Sequence, residues 1–143
     1  MTIKKRGKVK KPNPIYDGIT FDSSLEVYCY KALKAANIPL EYVPLSFVLQ
    51  QPFTYEPDVY EPDLKRGKLL AKRTSKYQSI KYTPDFVGNG WIIETKGRSN
   101  ERFKIVWKLF KQYLTYNNIK FDLYLPKNQK QVDQCIELIK MKL

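Results

Sequence analysis

Asp85, Glu94 and Lys96 are the residues whose types and spacing best suit chemistry. Glu94 and Lys96 stand two apart in a strand-like run, so their side chains share a face. Asp85 lies on the run before it, and Gly88-Asn89-Gly90 folds the two runs into a hairpin. That turn brings Asp85 toward Glu94. Two carboxylates converging at a sheet edge repel unless a cation sits between them. A hard divalent ion such as Mg²⁺ suits oxygen donors, and the backbone carbonyl of Thr95 is a further ligand for it. Such an ion polarises a phosphodiester, generates hydroxide and stabilises the leaving oxygen. Lys96 then orients the water or steadies the pentacoordinate phosphate. The plainer alternatives are a turn residue at Asp85 and an exposed ion pair of little worth at Glu94 and Lys96.

Glu26 is a fourth candidate. It lies at the edge of the apolar stripe of a helix and can reach inward past the sheet edge, to hold a second metal or a water. Its other reading is structural: with Ser23 it closes a capping box.

Composition narrows the chemistry. The chain has no histidine, which excludes histidine acid–base catalysis and histidine metal sites. Its 26 Lys and Arg against 14 Asp and Glu give a formal charge of +12, which favours a polyanionic partner, nucleic acid above all. Cys29 and Cys135 show no metal-ligand spacing and read as buried free thiols in a reducing, cytoplasmic setting. No run is apolar and long enough to span a membrane, and no hydrophobic stretch follows the basic N-terminus as a secretory signal requires.

The elements that must position these residues can be read along the 143-residue chain, which suits one domain. Residues 1–14 form a basic arm carrying Lys4, Lys5, Arg6 and Lys8, either a solvated tail or a phosphate contact. A helix follows Asp22 or Ser23 as its cap, places Leu25, Cys29, Ala32, Leu33 and Ala36 inward, and ends at Asn37 and Pro39. Leu40–Gln50 reads as a strand. Residues 51–78 read as an extended insertion. Glu56, Asp58, Glu61 and Asp63 come first; then Lys65, Arg66, Lys68, Lys72, Arg73, Lys76 and Lys81 pass with no acid among them. A DNA-facing loop and a plain surface loop both suit it.

Ser79–Val87 and Trp91–Lys96 are the hairpin strands. Ser99 or Asn100 caps a long helix with Phe103, Val106, Trp107, Phe110 and Leu114 inward. Lys120–Leu125 is a last strand, and Gln129–Met141 a helix burying Val132, Cys135, Ile136 and Ile139. The order α-β-insertion-ββ-α-β-α predicts an α/β layer fold around a mixed sheet. Tyr82, Trp91 and Trp107 read as core. Arg98 and Arg102 stand at a helix N-terminus, a place suited to phosphate. Lys104, Lys108 and Lys111 line that helix's solvent face, binding phosphate or only keeping it soluble.

These motifs resemble a known group of enzymes. Thr83-Pro84-Asp85-Phe86 followed by Glu94-Thr95-Lys96-Gly97 is similar to the signature of the PD-(D/E)XK nuclease superfamily. With Phe21-Asp22-Ser23-Ser24-Leu25-Glu26 ahead of the first helix, it resembles phage endonuclease I, the T7-type Holliday junction resolvases. By motif the resemblance covers roughly residues 20–97, and beyond that only the element order. It implies a restriction-endonuclease-like core, Glu26, Asp85, Glu94 and Lys96 as the catalytic set, Mg²⁺ or Mn²⁺ as cofactor, branched DNA as substrate and a homodimer. A phage or mobile-element source would place it in the host cytoplasm. Insertion 51–78 departs from the family by its length and its Pro- and Lys-rich character. The other readings are a PD-(D/E)XK nuclease of restriction-like, nicking or single-strand specificity, and a DNA-binding module that does not cut.

Overall fold

A computed structural model describes residues 11–41, 45–72 and 75–143. The arm positions Lys4, Lys5, Arg6 and Lys8 lie outside the described residues, as do Tyr42–Pro44, Arg73 and Thr74.

In chain order the elements are β1 (Ile15–Tyr16), β2 (Ile19–Thr20), α1 (Ser24–Ala35), β3 (Phe47–Gln50), β4 (Phe53–Tyr55), β5 (Val59–Asp63), β6 (Lys68–Lys72), β7 (Ser75–Tyr77), β8 (Ile80–Tyr82), β9 (Phe86–Gly88), β10 (Trp91–Ile93), α2 (Glu101–Tyr116), β11 (Asp122–Tyr124) and α3 (Gln129–Lys140). Among the described residues the fold is mixed α/β, with three helices and several small sheets, as the α/β pattern predicts.

The central sheet has the order β11-β10-β9, with β9 antiparallel and β11 parallel to β10. Its faces divide by residue parity, as strand geometry requires. Phe86, Trp91 and Ile93 join α1 and α3 in one core around Cys29, Leu33, Val132 and Ile139. Val87 and Ile92 join α2 in a second core around Phe47, Tyr82, Trp107 and Phe110. The sheet is therefore covered on both faces, which explains why β9 and β10 are short and carry no polar side chain. Both cysteines are buried and unpaired, as expected.

The helix ends follow local chemistry. Ser23, Asn100 and Asn128 cap α1, α2 and α3, each side chain accepting a backbone N–H from three residues on. Helices α1 and α2 both close with an asparagine at positive φ, Asn37 and Asn118. Ile38 N–H donates to Leu33 and Ile119 N–H to Leu114, so these are Schellman-type ends.

Three expectations need correction. Among the described residues of the Leu40–Gln50 segment, strand is found at Phe47–Gln50; Pro39, just ahead of the segment, has no N–H to start a ladder there. Ser79–Val87 is two strands, because Pro84 interrupts it: β8 pairs with β3, and β9 with β10. The strand read as Trp91–Lys96 ends at Ile93, since beyond it Asp85's side chain replaces a backbone partner.

Insertion 51–78 forms the greater part of a nested antiparallel ribbon. β3 pairs with β8, β4 with β7, and β5 with β6, with register shifts along the way. An unforeseen hairpin, β1–β2, turns on Asp17 and Gly18, both at positive φ. Asp-Gly between Ile-Tyr and Ile-Thr is the signal that would have found it.

Candidate active site

The interrupted strand is what builds the site. Pro84 ends β8 and the chain re-enters the sheet at Phe86, leaving Asp85 at the bend beside the end of β10. On its far side the β10 backbone keeps bonding to the neighbouring strand. Glu94 N–H donates to the Tyr124 carbonyl at 2.9 Å and Lys96 N–H to that of Pro126 at 3.1 Å. Between them, Thr95 N–H points the other way and donates to Asp85 Oδ2 at 2.8 Å. Thr95 Oγ1 donates to the same oxygen at 2.8 Å. In extended backbone a residue's N–H and C=O leave on the same edge, so the Thr95 carbonyl leaves on Asp85's side.

Glu94 is buried, with 7% of its surface exposed. Its Oε2 accepts from the Tyr82 hydroxyl at 2.8 Å and from Asp85 N–H at 3.3 Å. The second oxygens, Asp85 Oδ1 and Glu94 Oε1, accept nothing among the described residues, yet no fully buried side-chain oxygen there lacks a partner. Neither is therefore fully enclosed. One oxygen of each carboxylate is fixed by the protein and the other is presented.

Glu26 approaches from α1. Ser23 Oγ accepts its N–H at 3.2 Å, and Glu26 Oε2 accepts from Asp22 N–H at 3.1 Å. The capping arrangement is real, but its return bond goes to Asp22 rather than to Ser23. Glu26 also feels the charges of Asp85 and Lys96, so structural and site roles coincide in one side chain.

The electrostatics follow from crowding. Burial and then the charge of Asp85 push the Glu94 carboxyl up to about 7. Burial and then Asp85 do the same to Glu26, also to about 7. Asp85 is itself raised, mainly by burial, while its two bonds from Thr95 pull it back; Asp22 adds repulsion. Among the described residues, Lys96 is the cation that opposes all three shifts. Its Nζ lies over the Phe103 ring, 4.6 Å from the centroid, which sets the direction of the side chain.

The four predicted site residues thus meet around two of their number: Asp85 and Lys96 each act electrostatically on both Glu26 and Glu94. Arg98 and Arg102 are exposed on either side of the α2 cap, Asn100. Sequence reasoning missed three participants. Tyr82 is core as expected, but its hydroxyl also fixes Glu94; a buried phenol needs a partner, and that is the signal. Thr95 contributes its N–H and hydroxyl, where only its carbonyl was expected to matter. Asp22 was read only as a cap.

Among the described residues no three His, Cys, Asp or Glu side chains form a cage for a metal ion. The donors present are two carboxylate oxygens that accept no hydrogen bond among the described residues, with Glu26 and a backbone carbonyl nearby. That set fits Mg²⁺, which keeps several waters and takes one or two carboxylates plus substrate phosphate rather than an all-protein cage.

No helix among the described residues is long and apolar enough to cross a membrane. The chain belongs to the family described as a protein of unknown function, DUF1064, which matches residues 6–131. No curated protein and no solved structure matches it significantly.

Proposed function

We infer that this chain is a metal-dependent endodeoxyribonuclease with a restriction-endonuclease-like core, and that Glu26, Asp85, Glu94 and Lys96 form its site. The observation that carries this reading is the crowding of carboxylates in a protein of formal charge +12. Asp85 repels both Glu26 and Glu94, and Asp22 repels Glu26 and Asp85, although cations are plentiful elsewhere; among the described residues Lys96 is the cation set against them. Such an arrangement costs stability and is explained if a cation and a phosphate complete it.

Asp85 and Glu94 would hold Mg²⁺ or Mn²⁺ through their presented oxygens, with the Thr95 carbonyl and Glu26 as further donors. The ion would supply Lewis-acid polarisation of the phosphodiester and stabilise charge on the leaving oxygen. The rest falls to the chain. Tyr82, Thr95 and the Asp85 N–H hold the two carboxylates in place before substrate arrives, so no reorganisation is needed in the transition state. Lys96, steered by Phe103, faces the charge that builds on the phosphate oxygens. Where Glu26 holds a water and not the ion, its carboxyl, near 7, would accept a proton as that water adds to phosphorus and the P–O ester bond breaks.

Branched DNA as substrate, action as a Holliday junction resolvase and a homodimeric state rest on the resemblance to phage endonuclease I. Purified protein incubated with a four-way junction, linear duplex and single strand, in Mg²⁺ or EDTA, tests them together. Paired symmetric nicks at the junction are expected. Equal cutting of linear duplex would assign a restriction-like or nicking specificity instead, and binding without metal-dependent cutting would overturn the nuclease reading.

A further inference from the structure

The ribbon built by β3–β8 is not accounted for by the chemistry above. Its outer section, β5 and β6, makes its contacts chiefly with itself. The turn between them is held tightly. Asp63 Oδ1 accepts the N–H groups of Lys65 at 2.8 Å and Arg66 at 3.2 Å, and Gly67 N–H closes back on the Asp63 carbonyl at 2.9 Å. Gly67 takes φ +63°, a conformation that favours glycine. This ordered turn presents Leu64 with 99% of its surface exposed.

Leu64 is the most exposed large apolar side chain among the described residues, and it stands on a turn held by its own hydrogen bonds. Its surroundings identify the partner. The acids nearby are already engaged inside the ribbon: Glu61 with Lys72 at 2.6 Å, and Asp63 with the turn amides. Lys65, Arg66 and Lys68 have no carboxylate partner among the described residues. Two such tips repel each other, which argues against a second copy of the chain, whereas a polyanion neutralises them. A two-stranded ribbon fits a DNA groove, and apolar side chains such as Leu serve as wedges between base steps.

We propose that the β5–β6 tip is a DNA wedge, with Leu64 entering between bases at a groove or branch point while Lys65, Arg66 and Lys68 bind the adjoining phosphates. The assignment rests on the nuclease reading for its substrate class, but it concerns recognition and not the cut.

The test uses the full chain in EDTA, so that binding is read without cleavage. Affinity for a four-way junction and a linear duplex is measured by anisotropy across a salt series, with 2-aminopurine at the branch point reporting unstacking. Leu64→Ala should abolish the 2-aminopurine increase while weakening binding less than about 5-fold; Leu64→Met should restore it. The triple variant Lys65→Gln/Arg66→Gln/Lys68→Gln should lose roughly 10-fold or more in affinity and flatten the salt slope by about 2 to 3. An unchanged 2-aminopurine signal in Leu64→Ala, or an unchanged salt slope in the triple variant, would overturn the wedge. So would loss of self-association in Leu64→Ala with DNA binding intact, since the tip would then be a protein contact. Metal-dependent cutting is measured in parallel on wild type. Cutting with no tip dependence removes the wedge alone, tip-dependent binding without cutting removes the nuclease reading alone, and no DNA binding removes both.

Discussion

Two antiparallel hairpins of this chain obey the same ladder rules and end in opposite environments. The β9–β10 hairpin is buried on both faces, and all six of its strand residues are buried. The β5–β6 hairpin is longer, and none of its strand residues is buried. The first hairpin spends its burial on holding carboxylates in place, and as a result those carboxylates are raised. The second leaves its cations in water, free to meet a partner. A rigid, buried scaffold for chemistry and an exposed, charged hairpin for recognition are what a nuclease acting on a polyanion needs.

The largest expected effect lies in the buried hairpin. Glu94→Gln or Lys96→Ala should lower cleavage by about 10³-fold while changing DNA affinity less than about 3-fold, read by single-turnover cutting and anisotropy. Equal loss of binding would move these residues from chemistry to recognition and erase the contrast between the hairpins.

The glycines of the two hairpins sharpen the same contrast. A Cβ on Gly88 would lie 2.0 Å from the buried Trp91 ring, so Gly88→Ala must displace that ring. It should cost about 2–3 kcal/mol in denaturant unfolding. A Cβ on Gly67 meets open space, and only its positive φ is penalised, so Gly67→Ala should cost about 1 kcal/mol.

The pH response should come from the buried hairpin and its α1 neighbour. Glu26 and Glu94 stand near 7 when folded against 4.5 as the ordinary value. Raised carboxyls make the folded state hold more protons than the unfolded chain between about pH 4.5 and 7. Their contribution is therefore most favourable below that window and is lost as pH rises through it. In EDTA, Tm should fall from pH 5 to pH 8 by an amount worth on the order of 1 kcal/mol per group after solvent screening. Mg²⁺ should reverse the fall, and Glu26→Gln/Glu94→Gln should remove it. A wild-type Tm that rises across this range, matched by the double variant, would show that the carboxylates are not strained.

The smallest effect is expected on the arm. The Lys72–Glu61 pair spans 2.6 Å but is solvent-exposed, so Glu61→Gln should change stability by less than about 0.5 kcal/mol. A larger loss would mean that the ribbon depends on its charges for folding and not for contact.

Much of this was legible in the sequence because period and punctuation carried it. Phe103, Trp107, Phe110 and Leu114 announce one face of α2, and Asn100 its start. Asp85, Glu94 and Lys96 were readable because Asn89-Gly90 fixes which strands meet. Only Gly90 of that turn takes a positive φ, so the hairpin forms without the paired left-handed residues that an Asn-Gly turn favours.

What escaped was set by tertiary geometry. The role of Tyr82 depends on a hydroxyl meeting a carboxylate twelve residues away, and that of Thr95 on Asp85 replacing a ladder partner. Ribbon pairing was hidden because Pro52, Pro57 and Pro62 interrupt its strands and its register shifts, so no single run shows a clean period of two. Pro62 sits inside β5 all the same, in a two-stranded ribbon where one edge needs no N–H.

The crowded carboxylates are proposed to form a cation-dependent phosphodiesterase. The direct measurement is the rate at which wild type and Asp85→Asn, side by side, cut a labelled four-way junction across a Mg²⁺ titration. Saturable cutting by wild type is expected, abolished by EDTA and about 10³-fold slower in Asp85→Asn at equal DNA binding. Cutting that ignores EDTA, or equal rates from the two proteins, would contradict the account.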